Sequence, residues 1–192
     1  MAKLFGEILG GIIKRDIKNK ETRKAIKTEY KAIVLRADDI GEKNMLLSSY
    51  LLAAYFIAMN RKTNRTPEEN IKTMDSGMRQ SKLLKMLMGD AKHYFSEKKM
   101  EIRRAWSKDT YERKYKNDWV VDVLEKTDEY EFGLDYHECG VCKLCKDEGC
   151  PELAKYLCKL DFMLVEIIGV HLERTTTLAD GYEKCDFRFS KN

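Results

Sequence analysis

Five of the six cysteines of this 192-residue chain fall in one stretch, HECGVCKLCKDEGCPELAKYLCKLD, residues 137–161. Thiols at such spacing can ligate zinc or an iron–sulfur cluster, act as nucleophiles or redox groups, or pack as small apolar side chains. The inner run is Cys139, Cys142, Cys145 and Cys150, followed by Pro151. Two Cys-x-x-Cys steps so close together are hard to explain by packing. Bacterial ferredoxins hold a [4Fe–4S] cluster with C-x2-C-x2-C-x3-C-P. Here the final spacing is one residue longer and no second run follows. Zinc is equally allowed, from four thiolates or from three with His137. Cys139, Cys142, Cys145 and Cys150 are the candidate ligands of zinc or an iron–sulfur cluster, with Cys158 or Cys185 as an alternative fourth thiolate for a cluster. A redox-sensitive thiol cluster and unligated structural thiols are the alternatives. Lys143, Lys146, Asp147 and Glu148 suit an exposed loop.

Cys158 and Asp161 stand three residues apart, so on a helix they share a face. Further on, VHLERTTTLADGYEKCDFRF reads as a hairpin turning at Asp180-Gly181. A two-residue turn pairs Ala179 with Tyr182, Thr177 with Lys184, Thr175 with Asp186 and Glu173 with Arg188. The other face then carries Leu172, Arg174, Thr176, Leu178, Cys185, Phe187 and Phe189. Arg174 lies there among apolar residues, where an unpaired guanidinium is costly. Its partner is either Asp161 or an anionic ligand. Cys158 and Cys185 also fit the bland role of buried small residues. His137, on a polar strand face, is a candidate ligand or base. His93 and His171 read as structural or exposed.

Residues 1 to about 115 must supply helices to position these groups. In TPEEN, Thr66 can cap a helix, Pro67 open it, and Glu69 complete a capping box. That helix is expected to continue through IKTMDSGMRQSKLLKMLMG, its Met and Leu positions and Gly77 packing in the core. The run MLLSSYLLAAYFIAM, residues 45–59, is too short for a bilayer and reads as a buried helix. YFSEKKMEIRRAWSKDTYERKYKN reads as a surface helix that buries Trp106 and Tyr111. At Trp119 the period changes to two. WVVDVLEKT and EYEFGLDYHE form a hairpin turning near Thr127-Asp128, with Tyr130, Phe132, Leu134 and Tyr136 on one face. Residues 151–169 return to helix. The order gives an α+β fold, residues 1–192 as one domain, with a four-stranded antiparallel sheet of two hairpins separated by a helix.

The net charge of +4 is weak evidence for an acidic partner, and no groove-reading motif points to nucleic acid. The N-terminal MAKLFGEILGGIIKR lacks a small-residue cleavage site and is too short for a membrane span. A reducing cytoplasm is the expected location, where clustered cysteines are metal ligands or reactive thiols rather than disulfides. A homo-oligomer is open.

The elements CKLD (158–161), RTTTLADG (174–181) and CDFRF (185–189) together resemble the L-2-amino-thiazoline-4-carboxylic acid hydrolase family. The buried apolar helix followed by a TPEE-like start is similar too. The resemblance is good over about residues 115–190 and holds only in pattern over the N-terminal third. The cysteine-rich insert at 139–150 resembles one branch of that family. More distantly, Gly181, Cys185 and Phe187 resemble the closing hairpin of 4-vinyl-reductase-type small-molecule-binding domains. Those imply a ligand pocket between helices and an antiparallel sheet. The first resemblance implies hydrolysis of a cyclic isothiourea bearing a carboxylate. That reaction needs a nucleophile at the carbon between nitrogen and sulfur, a proton carrier, and a cation for the carboxylate. Cys158, as nucleophile or polar wall, Asp161 as proton carrier, and Cys185 are the implied catalytic groups. Arg174 and Thr177 are the implied substrate-binding groups. The alternative on the same fold is a non-enzymatic module sensing a small molecule, a metal or an iron–sulfur cluster.

Overall fold

The structure, a computed structural model, describes residues 2–191. Its hub is α3 (Leu47–Lys62), in which every residue from Tyr50 to Met59 is buried. A helix that is apolar around its whole circumference must be surrounded. α1 (Ala2–Ile13), α2 (Lys20–Arg36) and α4 (Pro67–Gln80) supply most of that wall, and α8 (Gly140–Asp147) closes it. Among the described residues no helix is long and apolar enough to cross a membrane. The capping box opens α4 as expected: the Thr66 hydroxyl accepts the Glu69 N–H, and the Glu69 carboxylate accepts the Thr66 N–H at 2.8 Å.

The long helix expected after Thr66 is broken at Ser81. That residue is extended, and its hydroxyl accepts the Leu84 N–H at 3.2 Å, starting α5 (Lys82–Met88) on a new course. Local capping by serine here outcompetes continuation of the helix. α6 (Ala91–Tyr94) and α7 (Glu97–Thr110) follow. Trp106 on α7 is partly buried as expected, but Tyr111, just past its end, is exposed and bonds Asp122 instead.

The sheet is antiparallel throughout, in the order β1-β2-β4-β3: β1 (Val120–Leu124), β2 (Phe132–Glu138), β3 (Val170–Glu173) and β4 (Cys185–Lys191). The fold is thus the α+β arrangement read from the sequence, with the two hairpins joined through β2 and β4. Phe132, Leu134 and Tyr136 do share the buried face. Asp135, on the opposite face, is also buried because Lys184 and Arg188 pair with it. The pairing Glu173 with Arg188 holds, but the tight two-residue turn does not. Residues 174–184 form a loop with a single 3-10 turn, Leu178–Asp180, closed by Gly181 at φ 90°. The competitor is Asp186. Its carboxylate accepts the Thr175 and Thr176 N–H groups at 2.9 and 2.6 Å and both hydroxyls at 2.5 and 2.9 Å, replacing a strand ladder with side-chain bonds.

The helix expected over 151–169 comes in pieces. A 3-10 turn at Pro151–Leu153 leads into α9 (Ala154–Leu157) and then α10 (Leu160–Glu166). Cys158 and Lys159 keep helical dihedrals between the last two, so the chain jogs there rather than unwinding.

Candidate functional site

Two hollows adjoin above the inner face of the sheet. The outer is a cleft of about 920 Å³ between the α5–α7 segment and the sheet, with α10 on its flank. The inner is a cavity of about 100 Å³, lined among others by Cys139, Cys158, Cys185, Asp161 and Arg174. Leu46, Tyr136, Asp161, Leu164 and Phe187 line both. Asp161 is therefore shared by the walls of both.

The Arg174 side chain is only 5% exposed. Its Nη1 donates to Asp161 Oδ2 at 2.6 Å and its Nη2 to the Cys158 carbonyl, at the jog before α10, at 2.9 Å. Its faces lie 4.9 Å from the Phe162 ring and 4.8 Å from the Phe187 ring. Two of its five N–H donors are engaged in this way. Its effect falls on Asp161, whose side chain keeps 37% exposure, in keeping with its place on the walls of both hollows. Burial raises the Asp161 pKa to about 6, and the Arg174 charge keeps it from rising further. At neutral pH the carboxyl is mostly ionised yet close enough to its pKa to exchange protons in both directions.

The three cavity thiols differ. Burial, with the Asp161 charge adding to it, pushes the Cys158 pKa far above the thiol range. Burial also raises Cys185, to about 11, although its sulfur accepts the Leu178 N–H at 3.2 Å. Cys139 goes the other way. The neighbouring Cys142 thiol and the amide N–H groups of Val141 and Cys142 hold it below the usual value against the effect of burial. It is the N-cap residue of α8, where the exposed N–H groups favour an anion. Gly140 makes that placement physically feasible. A Cβ there would overlap the Asn117 carbonyl and lie 2.8 Å from the Trp119 ring.

The exposed cysteine loop expected from the sequence is instead helix α8, and Glu148 at its end is buried between Arg36 and Arg61. The four inner thiols separate into two pairs, Cys139 beside Cys142 and Cys145 beside Cys150. Among the described residues no group of three or more metal-ligating side chains converges. A four-thiolate centre there would require α8 to rearrange. His137 points elsewhere and bonds Asp122 at 2.9 Å on the exposed side of the sheet. Thr177 is buried but committed to its own turn, donating to Asp180 Oδ2 at 2.6 Å and accepting the Asp180 N–H.

The structure thus brings together Cys158, Asp161, Arg174 and Cys185, adds Cys139 from the metal-ligand set, and leaves out Thr177. Sequence reasoning missed Arg103, a buried cation on the outer cleft. Its signal was present: Met100, Arg103 and Trp106 recur every three residues, one face of a helix.

The family model of L-2-amino-thiazoline-4-carboxylic acid hydrolases matches residues 44–189, and the chain belongs to that family. The match reaches well upstream of the region where motifs alone carry the resemblance, taking in α3 and the capped start of α4. It supports a hydrolase-like protein. Searches of curated proteins and of solved structures gave no match.

Proposed function

We propose that this member of the L-2-amino-thiazoline-4-carboxylic acid hydrolase family opens a small cyclic isothiourea carboxylate in the inner cavity. L-2-amino-thiazoline-4-carboxylate is the substrate of choice. The observation that carries the reading is that Cys139 and Asp161 line one cavity, the first a thiol biased toward ionisation and the second a carboxyl biased toward protonation. Such opposed pairs divide nucleophile and proton carrier between them.

Asp161 takes the Cys139 proton, and the thiolate attacks the ring carbon between nitrogen and sulfur. The ring carbon–sulfur bond breaks, and Asp161 returns the proton to the departing sulfur. The substrate is now an open isothiourea attached to Cys139. Asp161 next takes a proton from water, and the hydroxide adds to the same carbon. The carbon–sulfur bond to Cys139 breaks, and the thiolate regains its proton. The product is a urea with a free thiol, and the net change is addition of one water. Arg174 keeps Asp161 in place through both steps. Cys158 and Cys185, whose pKa values are raised, form the uncharged wall.

Turnover is read as thiol released per enzyme from L-2-amino-thiazoline-4-carboxylate. Cys139→Ser and Asp161→Asn should each lower kcat by at least about 100-fold, while Cys150→Ser, outside the cavity, should retain it. A Cys139→Ser enzyme turning over at the wild-type rate would remove the covalent route. Wild-type protein that turns over no cyclic isothiourea carboxylate would sink the reading.

A further inference from the structure

Arg103 is 6% exposed, and no carboxylate among the described residues lies within ion-pair distance of it. Its Nη1 donates to the Tyr94 carbonyl at 2.9 Å. Its guanidinium carbon sits 4.4 Å from the centres of both the Tyr94 and Phe132 rings. The two rings cover its faces and leave its edge, where the donors are. Among the described residues Nε and Nη2 have no protein acceptor. A buried cation without a counter-charge is costly, and an anion arriving at its open edge would offset that cost.

A second group on the same helix has the same need. The Trp106 Nε1–H is buried and has no hydrogen-bond partner. Trp106 is three residues from Arg103 on α7, so the two share a face, and both line the outer cleft. Much of the remaining lining is apolar, including Met86, Leu87, Ile102 and Leu172. The complement of a fixed guanidinium edge, one extra N–H and apolar walls is a small organic acid.

We propose that Arg103 and Trp106 form a carboxylate-binding site in the outer cleft. The acid's two oxygens accept from Arg103 and from Trp106 Nε1, while its body lies on the apolar wall. That the acid is the hydrolase's own substrate, anchored here while its ring reaches Asp161, rests on the function proposed above. The binding site itself does not.

The test uses the full chain and a non-reacting pair of probes, L-thiazolidine-4-carboxylate and its carboxamide, titrated by calorimetry. The acid should bind wild-type protein at least tenfold more tightly than the amide. Arg103→Met should weaken the acid by roughly 10- to 100-fold, leave the amide unchanged, and melt no lower than wild type. Trp106→Phe keeps the ring, removes the N–H, and should weaken the acid severalfold; this variant carries the test should Arg103→Met fail to fold. Equal affinity for acid and amide, or undiminished acid binding in either folded variant, overturns the proposal. Turnover separates the two readings. Arg103-dependent acid binding without turnover leaves the site standing and removes the hydrolase. Turnover with KM unchanged in Arg103→Met leaves the hydrolase standing and removes only the claim that the acid anchored here is its substrate.

Discussion

The inner cavity and the outer cleft each bury an arginine side chain and stack it between two rings. They differ in what meets its edge. Arg174 has a carboxylate and a carbonyl, whereas Arg103 has one carbonyl and a thioether at 3.5 Å. Burial alone therefore does not mark a ligand site. Each edge meets two acceptors, and the difference is that only Arg174 has a counter-charge. The family likeness directs attention to Arg174 for the substrate carboxylate, and in the structure it is paired with Asp161.

The sharpest way to break the contrast is to make the inner arginine resemble the outer one. Asp161→Ala strands Arg174 and should cost about 3 kcal/mol in urea unfolding; a loss below about 1 kcal/mol would mean the pair is not a structural unit. Arg103→Met, which removes an unpaired charge, should cost nothing by the same measure. Gly140→Ala comes next. Overlap with the Asn117 carbonyl should cost about 1–3 kcal/mol and displace Cys139. It should impair thiol release while acid binding in the outer cleft survives, since Gly140 lines neither wall there. Arg174→Leu should be milder, within about 1 kcal/mol, because Phe162 and Phe187 accept an apolar side chain and Asp161 can take up a proton. Its signature should be kinetic: without the Arg174 charge, the acid limb of the kcat profile moves to higher pH.

The smallest effect is in the pH dependence of stability. Asp161 binds its proton more tightly in the folded state, with a pKa of about 6 against an ordinary 3.8. Its contribution is full below about pH 4 and declines as pH rises toward 6. Carboxylates held low by partners, such as Asp135 and Asp186, act with the opposite sign. The measurement is therefore a difference: the stability of wild type minus that of Asp161→Asn should fall between pH 4 and 6, and a flat difference would contradict the raised pKa.

What could be read in advance followed from local rules. Thr66 and Glu69 announce a helix start whatever surrounds them, and the run around Tyr55 is too apolar to be anything but enclosed. Arg174 was conspicuous because alternation placed one charge on an apolar strand face. Arg103 was not, because its neighbours Lys98, Lys99, Glu101 and Arg104 make α7 look uniformly polar. The break at Ser81 depends on one hydroxyl choosing a cap over a helix, which no periodicity records. The division of the thiols depends on α8 packing against α3, a contact between residues far apart in the chain.

The Asp186 carboxylate, which gathers four donors from Thr175 and Thr176, has a consequence for motion. The loop that carries Arg174 is tied to the middle of the sheet rather than hanging from its end. In hydrogen exchange the Thr175 and Thr176 amides, although in no strand, should be protected about as long as the β4 amides. They should be released only when β4 itself opens. Asp186→Ala should uncouple the two timescales and leave the arginine's loop opening on its own clock.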